Sequence, residues 1–437
     1  MYYLILPFAL QQGEAAFINQ KISIAGKNIL SPYATIFTDV LFCLIAVIAF
    51  SLMKARFKRI PWLGSALISI LFIYFFAVWL TSFLGYADFS EVFLTGRQML
   101  YIPLSYFLWL AIFQAVTREQ YEQFLKLMFY VTPVSTILYI LNSSKVLPLF
   151  DDSLMYMEVD FGSESFVRDF RTIPIWLITC LVLAIQSLLT KTIKINKSLV
   201  ILNLLILPIG ILFTFTRSIL VVVVMEATVM FLLYGLKMGG KFVLNLIFLA
   251  FFLTISVIVI QKVFPNQSGY FEERLTDAKS EGKNEQNVNL RVEFLEEASR
   301  IADETSTFFG AGMNRQYWGR MEQIGSWRSD SSIPLILVHS GWIGVFLVFG
   351  TMLLFFVDSF IYFMKTRDWL VIYLGAQFMV FFIGSLLMGG GSLDGNVWTF
   401  MNFALYTVVR FNKWRDDNPE LLYSTPKWNK VRHRSII

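Results

Sequence analysis

The segment that decides the fold is FVLNLIFLAFFLTISVIVIQKV, residues 242–263. It contains no acidic residue, and its single lysine stands at the penultimate position. At about 1.5 Å per residue, a helix of this length crosses the roughly 30 Å hydrocarbon core of a bilayer. The segment therefore predicts a membrane-spanning helix.

The composition of the whole chain agrees with this prediction. The 437 residues are 56% hydrophobic and 17% aromatic, only 15% are charged, and the mean hydropathy is +0.62. Such values exclude an ordinary soluble domain and predict an all-α integral membrane protein. The two cysteines, Cys43 and Cys180, lie in apolar runs and predict neither a disulfide framework nor a metal site.

Other segments are as long and as apolar. Predicted spans lie at residues 33–53, 62–84, 99–116, 123–142, 173–190, 198–214, 218–236, 333–355, 369–388 and 397–411. A further helix is predicted at residues 2–18, although Gln11, Gln12 and Glu14 suit hydrocarbon poorly. A cleaved signal peptide is the alternative there, but the segment lacks a basic region and a small-residue cleavage site. The expected fold has about twelve transmembrane helices.

Lysine and arginine in the short loops predict the orientation. The basic loops follow the second, sixth, eighth and tenth spans, and the tail 412–437 is basic too. With twelve spans all of these lie on one side, which the positive-inside rule makes cytoplasmic, together with both termini. The net charge of +5 then needs no nucleic acid as partner. The predicted organisation is helices 1–9 in residues 1–263, a long outer loop at 264–332, helices 10–12 in 333–411, and the tail.

The long outer loop contains an amphipathic helix, NVNLRVEFLEEASRIADE, at residues 287–304. Helical spacing places one apolar stripe on it, made of Phe294, Leu295, Ala298, Ile301 and Ala302. Arg291 falls on the same stripe, which we expect to meet the outer membrane surface or the tops of the spans. A guanidinium there favours an anion, and snorkelling into lipid headgroups is the alternative. On the polar face, Glu296 is placed to pair with Arg300.

Two further polar residues lie near the predicted outer face. Arg217, in FTFTRSILVVVV, stands between two apolar runs and is flanked by the hydroxyls of Thr216 and Ser218. His339, in LILVHSGWIGVF, lies about 9 Å into the tenth span. The alternatives are a turn arginine on lipid phosphates and a histidine bonded to a neighbouring helix. Two arginines and one histidine at one face predict phosphate recognition with one titratable base.

The order of these motifs resembles the O-antigen ligase and Wzy polymerase superfamily of bacterial surface-polysaccharide enzymes. The resemblance rests on TFTRSIL with Arg217, NLRVEFLEEASR with Arg291, FFGAGMN with Gly310 and Gly312, and LVHSGWIG with His339. It covers roughly residues 198–360 and elsewhere only the helix count. One departure is Thr216, where family members commonly have serine, but the hydroxyl is kept.

The resemblance implies a GT-C-like architecture in the bacterial inner membrane with a partly helical periplasmic loop. It implies inverting glycosyl transfer at the periplasmic face, without metal or cofactor, from an undecaprenyl-pyrophosphate-linked glycan. His339 would be the general base, and Arg217 and Arg291 would stabilise the pyrophosphate. The residues expected to bind substrate are Thr216, Ser218, Gly310, Gly312 and Arg315. Membrane lipid and a chain-length regulator protein are the further expected partners.

Several functions share these residues. A polymerase would use another lipid-linked repeat as acceptor, and a ligase would use lipid A–core. The polymerase is preferred because nothing in the sequence indicates recognition of one fixed acceptor. The alternatives from other classes are a lipid-linked glycan transporter, which would be expected to show repeated halves, and a non-catalytic scaffold.

Overall fold

The structure is a computed structural model of the chain. It describes residues 23–24, 27–28, 62–85, 100, 103–113, 116–144, 146, 157–161, 164–168, 174–190, 195–213, 223–225, 228, 240–281, 286–312, 315–324, 332–366, 368–387 and 397–410. The helices predicted at 2–18 and 33–53 and the tail 412–437 lie outside the described residues, as does most of the span predicted at 218–236.

The first half of the described chain is mainly helical, as the composition predicts. Its helices are α1 (Trp62–Gly85), α2 (Pro103–Phe113), α3 (Arg118–Ser143), α4 (Pro174–Thr190), α5 (Lys197–Leu212) and α6 (Gly240–Val263). Each coincides with a predicted span, and the ends differ by a few residues. The segment that opened the sequence analysis is therefore a helix.

The second half contains the predicted outer loop and the last helices. Within the loop lie α7 (Pro265–Glu281), α8 (Gln286–Thr305) and α9 (Arg315–Ile324). They are followed by α10 (Ser332–Thr366), α11 (Trp369–Leu387) and α12 (Val397–Arg410). Helix α10 continues beyond the predicted span 333–355. The prediction was sized to the thickness of the bilayer, and a helix can extend past that thickness.

Two short hairpins accompany the helices, and the described part of the chain is mostly helical, as expected. β1 (Ser23–Ile24) pairs antiparallel with β2 (Lys27–Asn28), and β3 (Met157–Phe161) pairs antiparallel with β4 (Glu164–Arg168). Only two residues separate β3 from β4, a connection length that favours a hairpin. This second hairpin contacts α7 through β3 and α3 through β4.

Side-chain caps fix where several helices begin. Thr117 and Gln120 form a reciprocal capping box before α3, with the Gln120 amide donating to Thr117 Oγ1 (3.2 Å) and the Thr117 amide donating to Gln120 Oε1 (3.1 Å). Asn196 caps α5 by accepting from the Ser198 amide at 3.0 Å. Asp368 does the same for α11 from the Leu370 amide, also at 3.0 Å.

The core is centred on α10. This helix packs against α11, α8 and α1, and α12 packs against α11 and α1. An aromatic cluster joins three of these helices: the rings of Phe355 and Phe403 stack at 4.3 Å, and Phe378 meets Phe403 edge-on at 4.9 Å. The last two helices are therefore held against the middle of α10.

Within the residues that the structure describes, three helices are long and apolar enough to cross a membrane. The qualifying segments are Gly64–Ser82 in α1, Arg118–Leu141 in α3 and Ile333–Thr366 in α10. Shorter apolar helices accompany them in α2, α4, α5, α6 and α11. One side of α1 is exposed and apolar along its length, at Ile70, Ile73, Phe76 and Leu80.

Candidate functional site

A break in α10 forms the centre of the candidate site. Gly341 has φ 63° and ψ −169°, which separates residues 332–340 from residues 342–366. This region of backbone conformation is essentially restricted to glycine. The break follows His339 by two residues.

The loop that follows α8 docks onto this break through its backbone. In an uninterrupted helix the amides of Trp342 and Ile343 would donate four residues back; here they donate to the carbonyls of Thr307 (3.1 Å) and Phe308 (3.2 Å). In return, the Ala311 amide donates to the Val338 carbonyl at 2.7 Å. The loop thus restores the hydrogen bonds that the break removes.

The glycines at this junction are required by close approach. Gly310 and Gly312 have φ of 73° and 67°. A Cβ on Gly310 would lie 2.5 Å from the Gly341 nitrogen, and a Cβ on Gly341 would meet the Phe308 carbonyl oxygen. A Cβ on Gly312 would meet Ser82 Oγ. Positive φ and close packing therefore explain Gly310 and Gly312 without a ligand, and substrate binding by them stays a prediction.

His339 is buried beside this junction, with 2% of its surface exposed. Its Nδ1 lies 3.0 Å from the Gly312 carbonyl oxygen. A carbonyl can only accept, so Nδ1–H donates and the proton of a neutral imidazole is on Nδ1. The accepting nitrogen is then Nε2. The loop carbonyl therefore selects the tautomer in which Nε2 can take up a proton.

Tyr74 connects α1 to the junction between α10 and the docked loop. Its hydroxyl donates to the Ser340 carbonyl and approaches the Phe308 carbonyl at 3.4 Å. Its ring stacks on Phe309 with 6.5 Å between centroids. One side chain thus contacts the loop and the carbonyl next to the break at the same time.

The apolar stripe of α8 is confirmed at four of its five apolar positions, but Leu295, 39% exposed, and Arg291 are not part of its buried face. Phe294, Ala298, Ile301 and Ala302 are fully buried, and α8 packs against α10. Arg291 is exposed, because the packed face of α8 runs through Leu290, Phe294 and Glu297 and leaves Arg291 beside it. Arg291 forms no hydrogen bond or ion pair with a residue that the structure describes.

The predicted pair of Glu296 with Arg300 is wrong. Arg300 bonds instead to Glu297 Oε2 at 2.7 Å, and Glu297 is 8% exposed. Glu297 lies beside the buried stripe, so α9 covers it, and Arg320 of α9 donates to its other oxygen at 2.7 Å. Arg320 also donates to both oxygens of Glu304, at 2.5 and 3.2 Å.

Arg320 forms ion pairs with two carboxylates although it lies in the long loop. Its hydrogen bonds lower the pKa of the Glu304 carboxyl below the ordinary 4.5. Arg320 therefore fastens α9 onto α8 at two carboxylates. Sequence spacing could not indicate this pairing, because it crosses between two helices.

Other predicted site residues are not placed. Thr216, Arg217 and Ser218 lie outside the described residues, and only the backbone of Arg315, at the start of α9, is described. Within the described ranges no group of three or more His, Cys, Asp and Glu side chains could hold a metal ion. The structure thus joins His339 with Gly310 and Gly312, and metal independence stays a prediction.

Tyr74 and Gly341 were not among the residues predicted from the sequence. For Gly341 a signal existed, because a Ser–Gly pair inside an apolar helix indicates a kink. For Tyr74 no local signal existed, since its partners are more than two hundred residues away.

Comparison of the chain with protein-family models and with curated proteins finds no match.

Proposed function

We propose that the chain polymerises undecaprenyl-pyrophosphate-linked oligosaccharide repeat units at the periplasmic face of the bacterial inner membrane. The observation that carries the proposal is the Nδ1–H of His339 donating to the Gly312 carbonyl at 3.0 Å. It leaves Nε2 as the basic nitrogen of a buried imidazole beside a loop. The motif order around His339, with its resemblance to the O-antigen ligase and Wzy superfamily, supports the same function.

The proposed reaction is an inverting displacement. A hydroxyl oxygen of the acceptor attacks the anomeric carbon of the donor while the bond from that carbon to the pyrophosphate oxygen breaks. The hydroxyl proton goes to Nε2 of His339, and undecaprenyl pyrophosphate leaves as an anion. Arg217 and Arg291 are proposed to stabilise its growing charge, which would make a divalent ion unnecessary.

The proposed topology is twelve spans with both termini in the cytoplasm and residues 264–332 outside. Contacts between elements are compatible with this arrangement. Gly312 of the long loop lies against Ser82 near the end of α1, and the β3–β4 hairpin contacts α7, which begins the same loop. These are segments that the topology puts on the outer side.

Contacts at the other end of the helices agree as well. Arg118, at the start of α3, pairs with Asp368, just before α11. Arg410, at the end of α12, pairs with Asp358 in the last third of α10. All four residues lie near helix ends that the topology makes cytoplasmic. These pairs therefore support, in the part of the chain that is described, the two sides on which the proposal depends.

A second candidate of another class is a transporter of lipid-linked glycan. The break at Gly341 favours it, since transporters use discontinuous helices near their binding sites. The ligase remains the alternative within the same chemistry, because it differs only in its acceptor.

One reconstitution separates the three. Purified protein in liposomes is supplied with lipid-linked repeat units alone, and the products are resolved by size. Chains longer than one repeat support the polymerase. Transfer that occurs only after lipid A–core is added indicates the ligase, and movement of intact units across the bilayer without any transfer indicates the transporter.

A further inference from the structure

Two phenylalanines at the tip of the docked loop are exposed although their backbone is fixed. Phe308 is 64% exposed and Phe309 is 58% exposed. The Phe308 carbonyl accepts from the Ile343 amide at 3.2 Å, and the Phe309 amide donates to Ser306 Oγ at 3.2 Å. These bonds hold the backbone of the tip in place, with both rings on the surface.

The tip lies level with the middle of a candidate membrane span. Tyr74, which stacks on Phe309 and approaches the Phe308 carbonyl, is next to the midpoint of the Gly64–Ser82 segment. At the other side of the loop, Gly312 lies against Ser82, the last residue of that segment. The stretch from Tyr74 to Ser82 rises about 12 Å. The loop therefore descends about 12 Å along α1 and returns.

The second helix at the junction gives the same depth. The loop bonds to α10 at Val338, Trp342 and Ile343, and the helix begins at Ser332. From Ser332 to the residue before Gly341 the helix also rises about 12 Å. The depths measured along α1 and along α10 thus agree. Both place the loop tip well below the helix ends at Ser82 and Ser332.

The backbone of the loop is satisfied as hydrocarbon requires. Irregular backbone at membrane depth persists only where its polar groups find partners in the protein. Here the Thr307 and Phe308 carbonyls accept from α10, the Ala311 amide donates to α10, and the Gly310 amide donates to the Ser306 carbonyl at 2.7 Å. Residues 306–312 include no charged side chain, and Thr307 Oγ1 donates to the exposed Asp303 carboxylate at 3.2 Å.

The exposed surface around the tip is apolar and continuous with the helices. Phe309 adjoins the exposed apolar side of α1, which includes Ile73 at 65% exposure. Phe346, one turn beyond the break in α10, is 70% exposed. On a helix that crosses a membrane, exposed apolar side chains of this kind contact lipid.

We infer that residues 306–312 form a re-entrant loop and that Phe308 and Phe309 contact the acyl chains of the bilayer. The sequence left two contacts open for the apolar stripe of α8, the outer membrane surface and the tops of the spans, and the stripe is buried against the span α10. The loop after it supplies the lipid contact. This inference rests on the proposed membrane location, and it does not depend on glycosyl transfer.

Spin labels report the surroundings of each position directly. Single cysteines are introduced as Phe308→Cys and Phe309→Cys in full-length protein carrying Cys43→Ser; Cys180 is fully buried and is left in place. The nitroxide-labelled protein is placed in phosphatidylcholine–phosphatidylglycerol nanodiscs. Collision with oxygen, which concentrates in hydrocarbon, is compared with collision with a water-soluble nickel chelate.

Two control positions calibrate the measurement. Ile73→Cys lies on the exposed apolar side of α1 and should collide mainly with oxygen. Glu296→Cys lies on the exposed side of α8 and should collide mainly with nickel. Collision mainly with nickel at position 73 would overturn the membrane location itself. If position 73 collides mainly with oxygen, a contrary result at positions 308 and 309 concerns the loop alone.

At positions 308 and 309 we expect the oxygen-to-nickel collision ratio of position 73, several-fold above that of position 296. A ratio equal to that of position 296 would overturn the inference, and so would low accessibility to both reagents, which would show that protein covers the tip. Oxygen accessibility that changes only after polyprenyl pyrophosphate is added would make the donor lipid the occupant and would likewise overturn bilayer contact.

Discussion

The two ends of α10 are held in different ways. Near its beginning, backbone groups of residues 306–312 bond to the helix on both sides of Gly341. Near its other end, the helix is held by side-chain hydrogen bonds. Asp358 accepts from Tyr406 Oη at 2.5 Å and from Arg410 Nε at 3.3 Å. Just past that end, Arg118 donates to both oxygens of Asp368, at 3.0 and 3.1 Å.

The difference teaches where substitution is tolerated. A charge pair depends on side chains, so another residue with suitable hydrogen bonds restores part of its effect. The junction at Gly341 depends on the absence of a side chain, and no other residue provides that. Strained backbone of this kind is retained where surrounding structure enforces it, often at functional sites. The break beside His339 fits that pattern.

The largest effect is expected at the broken end. Gly341→Ala adds strain at φ 63° and a Cβ against the Phe308 carbonyl, so we expect a loss of at least about 3 kcal/mol of unfolding free energy. Thermal unfolding of the purified protein measures it. Gly350→Ala, in the same helix, places a Cβ that has no other atom within 4 Å and should be neutral or stabilising. Equal losses in the two variants would contradict the backbone argument.

The paired end should respond less and should be repairable. Arg118 and Asp368 are 15% and 11% exposed, so Arg118→Ala should cost about 2–3 kcal/mol, somewhat below the range for a fully buried pair that loses one partner. Arg118→Lys should recover part of the loss, because it restores the charge without the bidentate contact. Chemical unfolding of the three proteins tests this. A lysine variant no more stable than the alanine variant would contradict it.

Removing one hydroxyl should weaken the junction by a smaller amount. Tyr74→Phe deletes the donor to the Ser340 and Phe308 carbonyls, and we expect a loss of about 1–2 kcal/mol. Hydrogen exchange at residues 306–312 should become faster at the same time. Tyr130→Phe, at an exposed tyrosine, is the matched control and should change neither quantity. An unchanged loop in the Tyr74 variant would remove this residue from the junction.

The smallest effect concerns the contact between α8 and α9. Because Arg320 lowers the pKa of Glu304, the bonded carboxylate stabilises the folded state above the ordinary pKa of 4.5 and loses this effect as the pH falls through the lowered value. Exchange of the amides in residues 315–324, corrected for its intrinsic pH dependence, should therefore be constant from pH 8 to 6. It should rise only below about pH 4.5. A transition near pH 6 would mean that another group controls α9.

Helix positions were predictable from the sequence, and contacts between distant helices were not. A long apolar run such as residues 242–263 needs no tertiary information, because water and bilayer thickness alone dictate its conformation. The stripe of α8 was predictable for the same reason. The contact beside that stripe was not: Glu297 is buried because α9 covers it, and nothing near Glu297 in the sequence indicates that neighbour.

The candidate site divides in the same way. His339, Gly310 and Gly312 were singled out by motif, and the structure brings them together. The reason that glycine is needed came only from the structure, since the Cβ of Gly310 would meet Gly341, far along the chain. Arg291 shows the opposite error, because helical phase placed it on the apolar stripe, whereas the packed face of α8 runs through Leu290 and Glu297.

The central claim is that Nε2 of His339 is the base, and His339→Asn tests it most directly. The asparagine amide can still donate to the Gly312 carbonyl where Nδ1–H does, but it has no basic nitrogen at the position of Nε2. With lipid-linked repeat units as the only substrate, we predict that this variant unfolds at nearly the wild-type temperature and forms at least about a hundredfold less polymer. Polymer at the wild-type rate from the folded variant would contradict the claim.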